Sequence, residues 1–91
     1  MSTLRQLPSG GWAIQVPGRE PVPIVAGEIF LLEVQGERRM MRVRMEWKDG
    51  RWYAVLYWYT GRGARRVELR DGLRAGFFDQ RERYAKAVGR D

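Results

Sequence analysis

Residues 38–59 read RRMMRVRMEWKDGRWYAVLYWY and carry the clearest strand pattern in the chain. Two apolar-rich runs flank Asp49-Gly50. Asp-Gly suits a two-residue type I′ turn, because both central residues need a positive φ, which Gly and Asp tolerate best. That turn fixes a register: Lys48 faces Arg51, Trp47 faces Trp52, Met45 faces Ala54, Val43 faces Leu56 and Met41 faces Trp58. Side chains alternate along each strand, so all residues from Trp47 to Trp58 in the last four pairs share one face. We expect this to be the core face, with Trp47, Trp52 and Trp58 buried beside Met41, Val43, Met45 and Leu56. The opposite face carries Arg42, Arg44, Glu46 and Lys48 on the first strand, and Tyr53, Val55, Tyr57 and Tyr59 on the second. There Arg42 falls opposite Tyr57, Arg44 opposite Val55, and Met40 opposite Tyr59.

Working outward, Glu28 to Val34 reads as a strand with Phe30, Leu32 and Val34 on one face. A two-residue turn at Gln35-Gly36 pairs Val34 with Glu37, Leu32 with Arg39, Phe30 with Met41 and Glu28 with Val43. It also sets Glu33 opposite Arg38 and Ile29 opposite Arg42. A three-stranded antiparallel meander over 28–59 follows. Ahead of it, Leu4 to Leu7 and Trp12 to Val16 form a first hairpin, with Trp12, Ile14 and Val16 on one face. Residues 17–23 hold three of the four prolines and read as a loop, because proline supplies no ladder donor. Val22 to Val25 reads as a short edge strand.

Beyond the meander, residues 60–66 form a Gly-rich basic loop, Val67 to Leu69 a short strand, and Asp71-Gly72 a turn. Leu73 to Gly76 reads as one tight helical turn, and Phe77-Phe78 as an anchor. Asp79 with Glu82 has the form of a capping box and predicts a helix over about 80–88, with Tyr84 and Val88 on one face. The sum is a mainly β chain: one domain over 1–91, a small antiparallel SH3-like barrel of five or six strands with a short C-terminal helix. An OB-type barrel would need longer strands than residues 1–25 offer.

Composition bounds the function. The chain has 91 residues, four Trp and no Cys or His. Without Cys there is no disulfide, thiol nucleophile or thiolate metal site. Without His the usual proton shuttle is missing. The hydroxyls outside the tyrosines, Ser2, Thr3, Ser9 and Thr60, lie in termini or loops with no acid or Lys at a suggestive spacing. A carboxylate pair would have to be assembled in space from Glu28, Glu46 and Glu68. Phosphate-loop, dinucleotide and zinc patterns are absent. The reading therefore expects no enzyme, no cofactor and no metal. It finds neither a run of eighteen apolar residues nor a basic start followed by an apolar stretch, and so expects a cytoplasmic protein with no membrane partner.

The net charge is +6, with seventeen basic and eleven acidic residues. Residues 1–37 hold two Arg and four Glu, a balance of −2; residues 38–91 hold fifteen basic and seven acidic residues, a balance of +8. Fifteen of the seventeen basic residues are Arg. Arg offers a planar fork to phosphate and stacks on rings; a GC-rich genome accounts for the same preference by codon usage.

The stretch Ala26-Gly27-Glu28-Ile29, then Gly36, then Trp47 to Ala54, and the ending Leu69-Arg70-Asp71-Gly72-Leu73-Arg74 resembles a small domain-of-unknown-function family. That family is encoded in Gram-positive bacteria, often on phages, plasmids and integrated elements. The likeness covers about residues 26–76. It implies a small β-rich protein from a mobile-element setting and no catalytic residues. A second likeness is architectural, to small basic chromatin proteins that present a triple-stranded sheet to DNA; those are Lys-rich, and this chain is not.

Two features point to nucleic acid, DNA or RNA. Phosphates need cations and unpaired bases need flat rings, and the outer hairpin face supplies Arg42, Arg44 and Lys48 with Tyr53, Tyr57 and Tyr59. The basic loop adds Arg62, Arg65 and Arg66 beside glycines that let backbone approach a phosphate. The bland readings stand beside these. Arg opposite Tyr is an ordinary cross-strand pair, and Tyr53, Val55 and Tyr57 have a packing alternative, under the C-terminal helix or the first hairpin. A charged Gly-rich loop is also an ordinary solvated connection. The competing function is a protein-interaction module, such as a phage-type inhibitor or an accessory subunit of a nucleoprotein complex, with homodimerisation through an edge strand as a further option.

Overall fold

A computed structural model describes residues 1–57 and 63–78, with the backbone alone at Tyr57. The expected helix over 80–88, together with Trp58, Tyr59 and Arg62, lies outside the described residues. Among the described residues there are eight strands, β1 (Thr3–Gln6), β2 (Trp12–Gln15), β3 (Val22–Pro23), β4 (Ile29–Leu32), β5 (Met41–Lys48), β6 (Arg51–Tyr57), β7 (Ala64–Val67) and β8 (Ala75–Phe77). They form two antiparallel sheets, β1-β2-β3 and β7-β6-β5-β4-β8. The described residues contain no helix. The expectation of a barrel of five or six strands is corrected accordingly: there are more strands, and the barrel is not closed. Among the described residues the backbones of the two sheets join along the β1–β8 seam. A bridge links Thr3 to Arg74, the Leu4 N–H donates to the Leu73 carbonyl at 2.7 Å, and the Gly72 N–H donates to the Leu4 carbonyl at 2.9 Å. The outer edges, β3 and β7, stay apart. One carries Pro23 and the other Arg65 and Arg66, residues that discourage strand pairing.

The central hairpin forms as its turn dictates. Asp49 has φ 54° and Gly50 φ 75°, and the ladder pairs Val43 with Leu56, Met45 with Ala54, Trp47 with Trp52 and Lys48 with Arg51. The β4–β5 register differs from expectation. Phe30 pairs with Val43 and Leu32 with Met41, two residues along from the expected partners. The turn at Gln35-Gly36 does form, closed by the Glu37 N–H donating to the Val34 carbonyl at 3.0 Å. The chain then runs through residues 37–40 without pairing before β5 begins. Because the slip is even, every side chain keeps its face. Phe30, Leu32 and Val34 are buried as expected, while Ile29 now lies opposite Arg44.

Two segments near the C-terminal end are also corrected. The strand expected at 67–69 is Ala64–Val67, so Arg65 and Arg66 belong to a strand and not to a loop. The tight helical turn expected over 73–76 is instead the entry to β8, which pairs Ala75 with Leu32 and Phe77 with Phe30. There the ladder with β4 and the seam to β1 outweigh any local helical preference.

Both sheets feed one core. Leu4, Ile14, Phe30, Leu32, Val43, Met45 and Leu56 are fully buried, drawn from five strands. Trp12 is buried with them and Trp52 packs against them, but Trp47 is 54% exposed, against the expectation for its row. The cause is the length of the hairpin. Pairing between β4 and β5 ends at Arg44, extended by the Met45 N–H donating to the Glu28 carbonyl and the Gly27 N–H donating to the Met45 carbonyl. Pairing between β6 and β7 ends at Ala54. Residues 46–53 therefore form a two-stranded arm beyond the sheet, and the alternation that buries Met45 has nothing to bury Trp47 against.

Two substitutions test this account. Gly50→Val should destabilise the protein by about 1 kcal/mol or more, since a β-branched residue is strained at that positive φ. Phe30→Ala should cost about 3–5 kcal/mol, a large part of the roughly 5–15 kcal/mol that holds a small domain together. Chemical denaturation of both variants checks the two values.

Candidate nucleic-acid interface

The outward face of the five-stranded sheet is set by the same parity that builds the core. Its side chains come from Arg42, Arg44, Glu46 and Lys48 on β5, Arg51, Tyr53 and Val55 on β6, and Arg66 on β7, with Ile29 and Leu31 on β4. One row across it reads Arg66, Val55, Arg44, Ile29. Two arginines lie against rings. The Arg66 guanidinium sits 4.9 Å from the centre of the Tyr53 ring, and the Arg42 guanidinium 5.0 Å from that of Phe78. The first contact is a diagonal one between neighbouring strands, and the second reaches across β4. Arg66 pairs with Val55, and Tyr53 is two residues along. Arg42 pairs with Leu31, which pairs with Gly76; no side chain stands at Gly76, and the way to Phe78 is open.

Electrostatics separates the cations. Arg44 lies 3.9 Å from Glu46, both side chains near 40% exposed, a solvent-screened pair that offsets part of its charge. Among the described residues, the side-chain partner of Arg42 and of Arg66 is a ring. A ring orients a guanidinium without neutralising it, at about 0.5–1 kcal/mol on an exposed surface. Both arginines are exposed and keep a full positive charge and a planar fork for an anion. Val55, between Arg44 and Arg66 in the row, is 7% exposed although it points away from the core. Arginine stems commonly cover apolar surface in this way.

Of the residues named from sequence, the structure brings Arg42, Arg44, Tyr53 and Arg66 onto one face. Tyr53 is half-buried there, in neither of the two states the sequence left open. Tyr57 continues β6 and pairs with Ala64. Lys48 is exposed at the tip of the arm, beyond the paired sheet. Arg65 is not on this face. It pairs with Leu56, a core residue, so alternation puts it on the other side of β7 from Arg66; both arginines line a cleft of about 360 Å³ with Glu33, Glu68 and Arg70. Tyr59 and Arg62 lie outside the described residues. The three carboxylates from which a pair would have to be assembled sit in three different surroundings. Glu28 is buried and accepts the Val25 N–H, Glu46 faces Arg44, and Glu68 lies in the cleft. Among the described residues no group of three or more acidic side chains could hold a metal ion.

Sequence reasoning missed Phe78 and Arg51. Phe78 became visible only once β8 was a strand. Arg51 had a signal: the register sets it directly opposite Lys48, and like charges facing across a ladder are destabilising. No family model matches the chain, and no curated protein or solved structure is similar enough to it to count as a match. Among the described residues no helix is long and apolar enough to cross a membrane.

The facing cations give a measurable signature. Arg51→Glu should raise stability by about 0.2–1 kcal/mol, because it turns a cross-strand repulsion into an attraction with Lys48. A higher midpoint of urea unfolding at low salt, shrinking as salt is added, is the expected result.

Proposed function

We propose that this chain is a non-enzymatic nucleic-acid-binding module that docks phosphates on the outward face of the five-stranded sheet, through Arg42, Arg44 and Arg66. The observation that carries the reading is the pair of arginines held by rings. Arg42 and Arg66 are positioned and exposed, and their charge is left over for a partner. Such groups suit a phosphate backbone, where Arg binds through two parallel hydrogen bonds. The +8 balance of residues 38–91 supports the same reading, since it raises the local concentration of polyanions before any contact forms. We read the two sheets as an SH3-like barrel left open, and we place the module in the cytoplasm with its nucleic acid, DNA or RNA.

One observation favours a second reading, a protein-interaction module or accessory subunit of a nucleoprotein complex. Ile29 is 42% exposed on the same face, and an apolar row beside arginines is also the make-up of a protein interface. Salt separates the two. Phosphate binding weakens steeply as salt rises, and an aromatic protein contact weakens little.

Arg42→Glu with Arg44→Glu should weaken binding to nucleic acid at low salt and flatten its salt dependence, by about 0.7–0.9 in log–log slope for each phosphate that is no longer neutralised. The control is Arg5→Glu with Arg19→Glu, which changes net charge equally on residues 1–37. Equal losses in both variants would mean that net charge alone is read; no binding by the unaltered protein would leave the protein-interaction module standing.

A further inference from the structure

Beside the sheet face, the arm of residues 46–53 overhangs the loop of the first hairpin. Between them lies an open groove of about 510 Å³, lined by Gln6, Ser9, Trp12, Trp47, Arg51 and Trp52 among others. Its size is that of a small-ligand site. Three of the chain's four tryptophans meet here. Trp12 and Trp52 belong to the core, but Trp47 contributes little to it, being more than half exposed. Trp47 meets Trp52 edge-on, with ring centres 4.9 Å apart and planes at 62°. A T-shaped pair uses at most one face of one ring, so Trp47 is held in place by its neighbour and still presents an open indole face.

The tip of the arm carries two cations, Lys48 and Arg51, with Asp49 in the turn between them. Arg51 lines the groove and faces Lys48 across the ladder, and no carboxylate is among the lining residues. An anion set at the tip gains from both cations, which the ladder places opposite each other. A neutral sugar or a proline-rich peptide would use the indole but not the cations. A nucleotide uses both, its base on the ring and its phosphate at the rim. A duplex cannot supply the base, because its bases are already stacked on one another.

We propose that this groove takes an unpaired base of single-stranded nucleic acid, stacked on Trp47, with the adjoining phosphate on Arg51 and Lys48. The proposal rests on the nucleic-acid reading above and adds to it a preference for single strands. The cations at the tip join the groove to the sheet face, so that one strand passes from Arg42 and Arg44 over the end of the arm.

The test is titration of the whole chain with an oligothymidylate of about twelve nucleotides, within the usual site sizes of single-strand binders, and with a duplex of equal phosphate number, both at low salt. Intrinsic tryptophan fluorescence and anisotropy of the labelled oligonucleotide are read together. The oligothymidylate should quench the fluorescence and bind about tenfold more tightly than the duplex. Trp47→Ala should lose about tenfold in single-strand affinity and most of the quenching, with duplex affinity unchanged. Trp47→Tyr should restore most of the affinity. Trp47→Lys should weaken single-strand binding although it adds a positive charge.

Unchanged single-strand affinity in Trp47→Ala, or tighter binding by Trp47→Lys, overturns the proposal. So does quenching by a proline-rich peptide, or by raising the protein concentration alone, where oligothymidylate has no effect. If Arg42→Glu with Arg44→Glu weakens binding while Trp47→Ala does not, the groove fails and the sheet face stands. If the unaltered protein binds neither strand form, both fail together.

Discussion

The type I′ turn at Asp49-Gly50 is the constraint on which the rest of the molecule depends. Two adjacent residues with positive φ close the hairpin with no slack, so each residue on β5 has one partner on β6. Alternation then decides, along seven residues of β6 and eight of β5, what faces the core and what faces outward. Moving β5 by one against β6 would exchange Val43 and Met45 for Arg42 and Arg44 beside Leu56, and would put guanidinium groups where apolar side chains now pack. Burying such charges without partners is far costlier than any turn, so the turn and the pattern enforce one another.

The two candidate binding features are consequences of that hairpin meeting neighbours shorter than itself. Where β4 and β7 flank it, the hairpin is the middle of a sheet: its inner row is core and its outer row is a broad surface on which Arg42 and Arg66 reach rings two rows away. Where they stop, the same alternation continues without a second layer. Trp47 then becomes the wall of a groove instead of part of the core, while Trp52 still packs against the core, and Lys48 and Arg51 become a charged tip. A hairpin two residues shorter in each strand would keep the fully buried row Val43, Met45 and Leu56 and lose Trp47, Trp52 and the charged tip. Like charges facing each other at that tip are a local conflict with stability, and conflicts of this kind are most at home where a partner relieves them.

The β4–β5 connection shows how much a fold tolerates. The Gln35-Gly36 turn forms, yet residues 37–40 add slack and the strands pair two residues away from where a tight hairpin would put them. A slip of two costs nothing in sidedness, because the period of a strand is two. A slip of one would have turned Phe30 and Leu32 to solvent. The hydrophobic pattern selects between odd and even registers, and the slack selects among the even ones.

Legibility in the sequence followed the range of the interaction. Asp49-Gly50, the partners across it, the buried row Val43, Met45 and Leu56, and the shared face of Arg42, Arg44 and Tyr53 were readable, because each depends on residues close along the chain. So was the burial of Phe30, Leu32 and Val34, since parity survives the changed register. The exposure of Trp47 was not readable: it depends on where β4 and β7 end, and nothing near Trp47 says so. Nor was the identity of β8, whose three residues are a strand because β4 and β1 lie on either side of them, nor therefore the place of Phe78 beneath Arg42. The turn to opposite sides by Arg65 and Arg66 had the same origin, a strand where glycines suggested a loop. Local chemistry determined the turns, the alternation and the charge of this protein; the packing of distant strands decided which of its rings and cations meet, because a side chain's surroundings are set by whatever the rest of the chain brings to it.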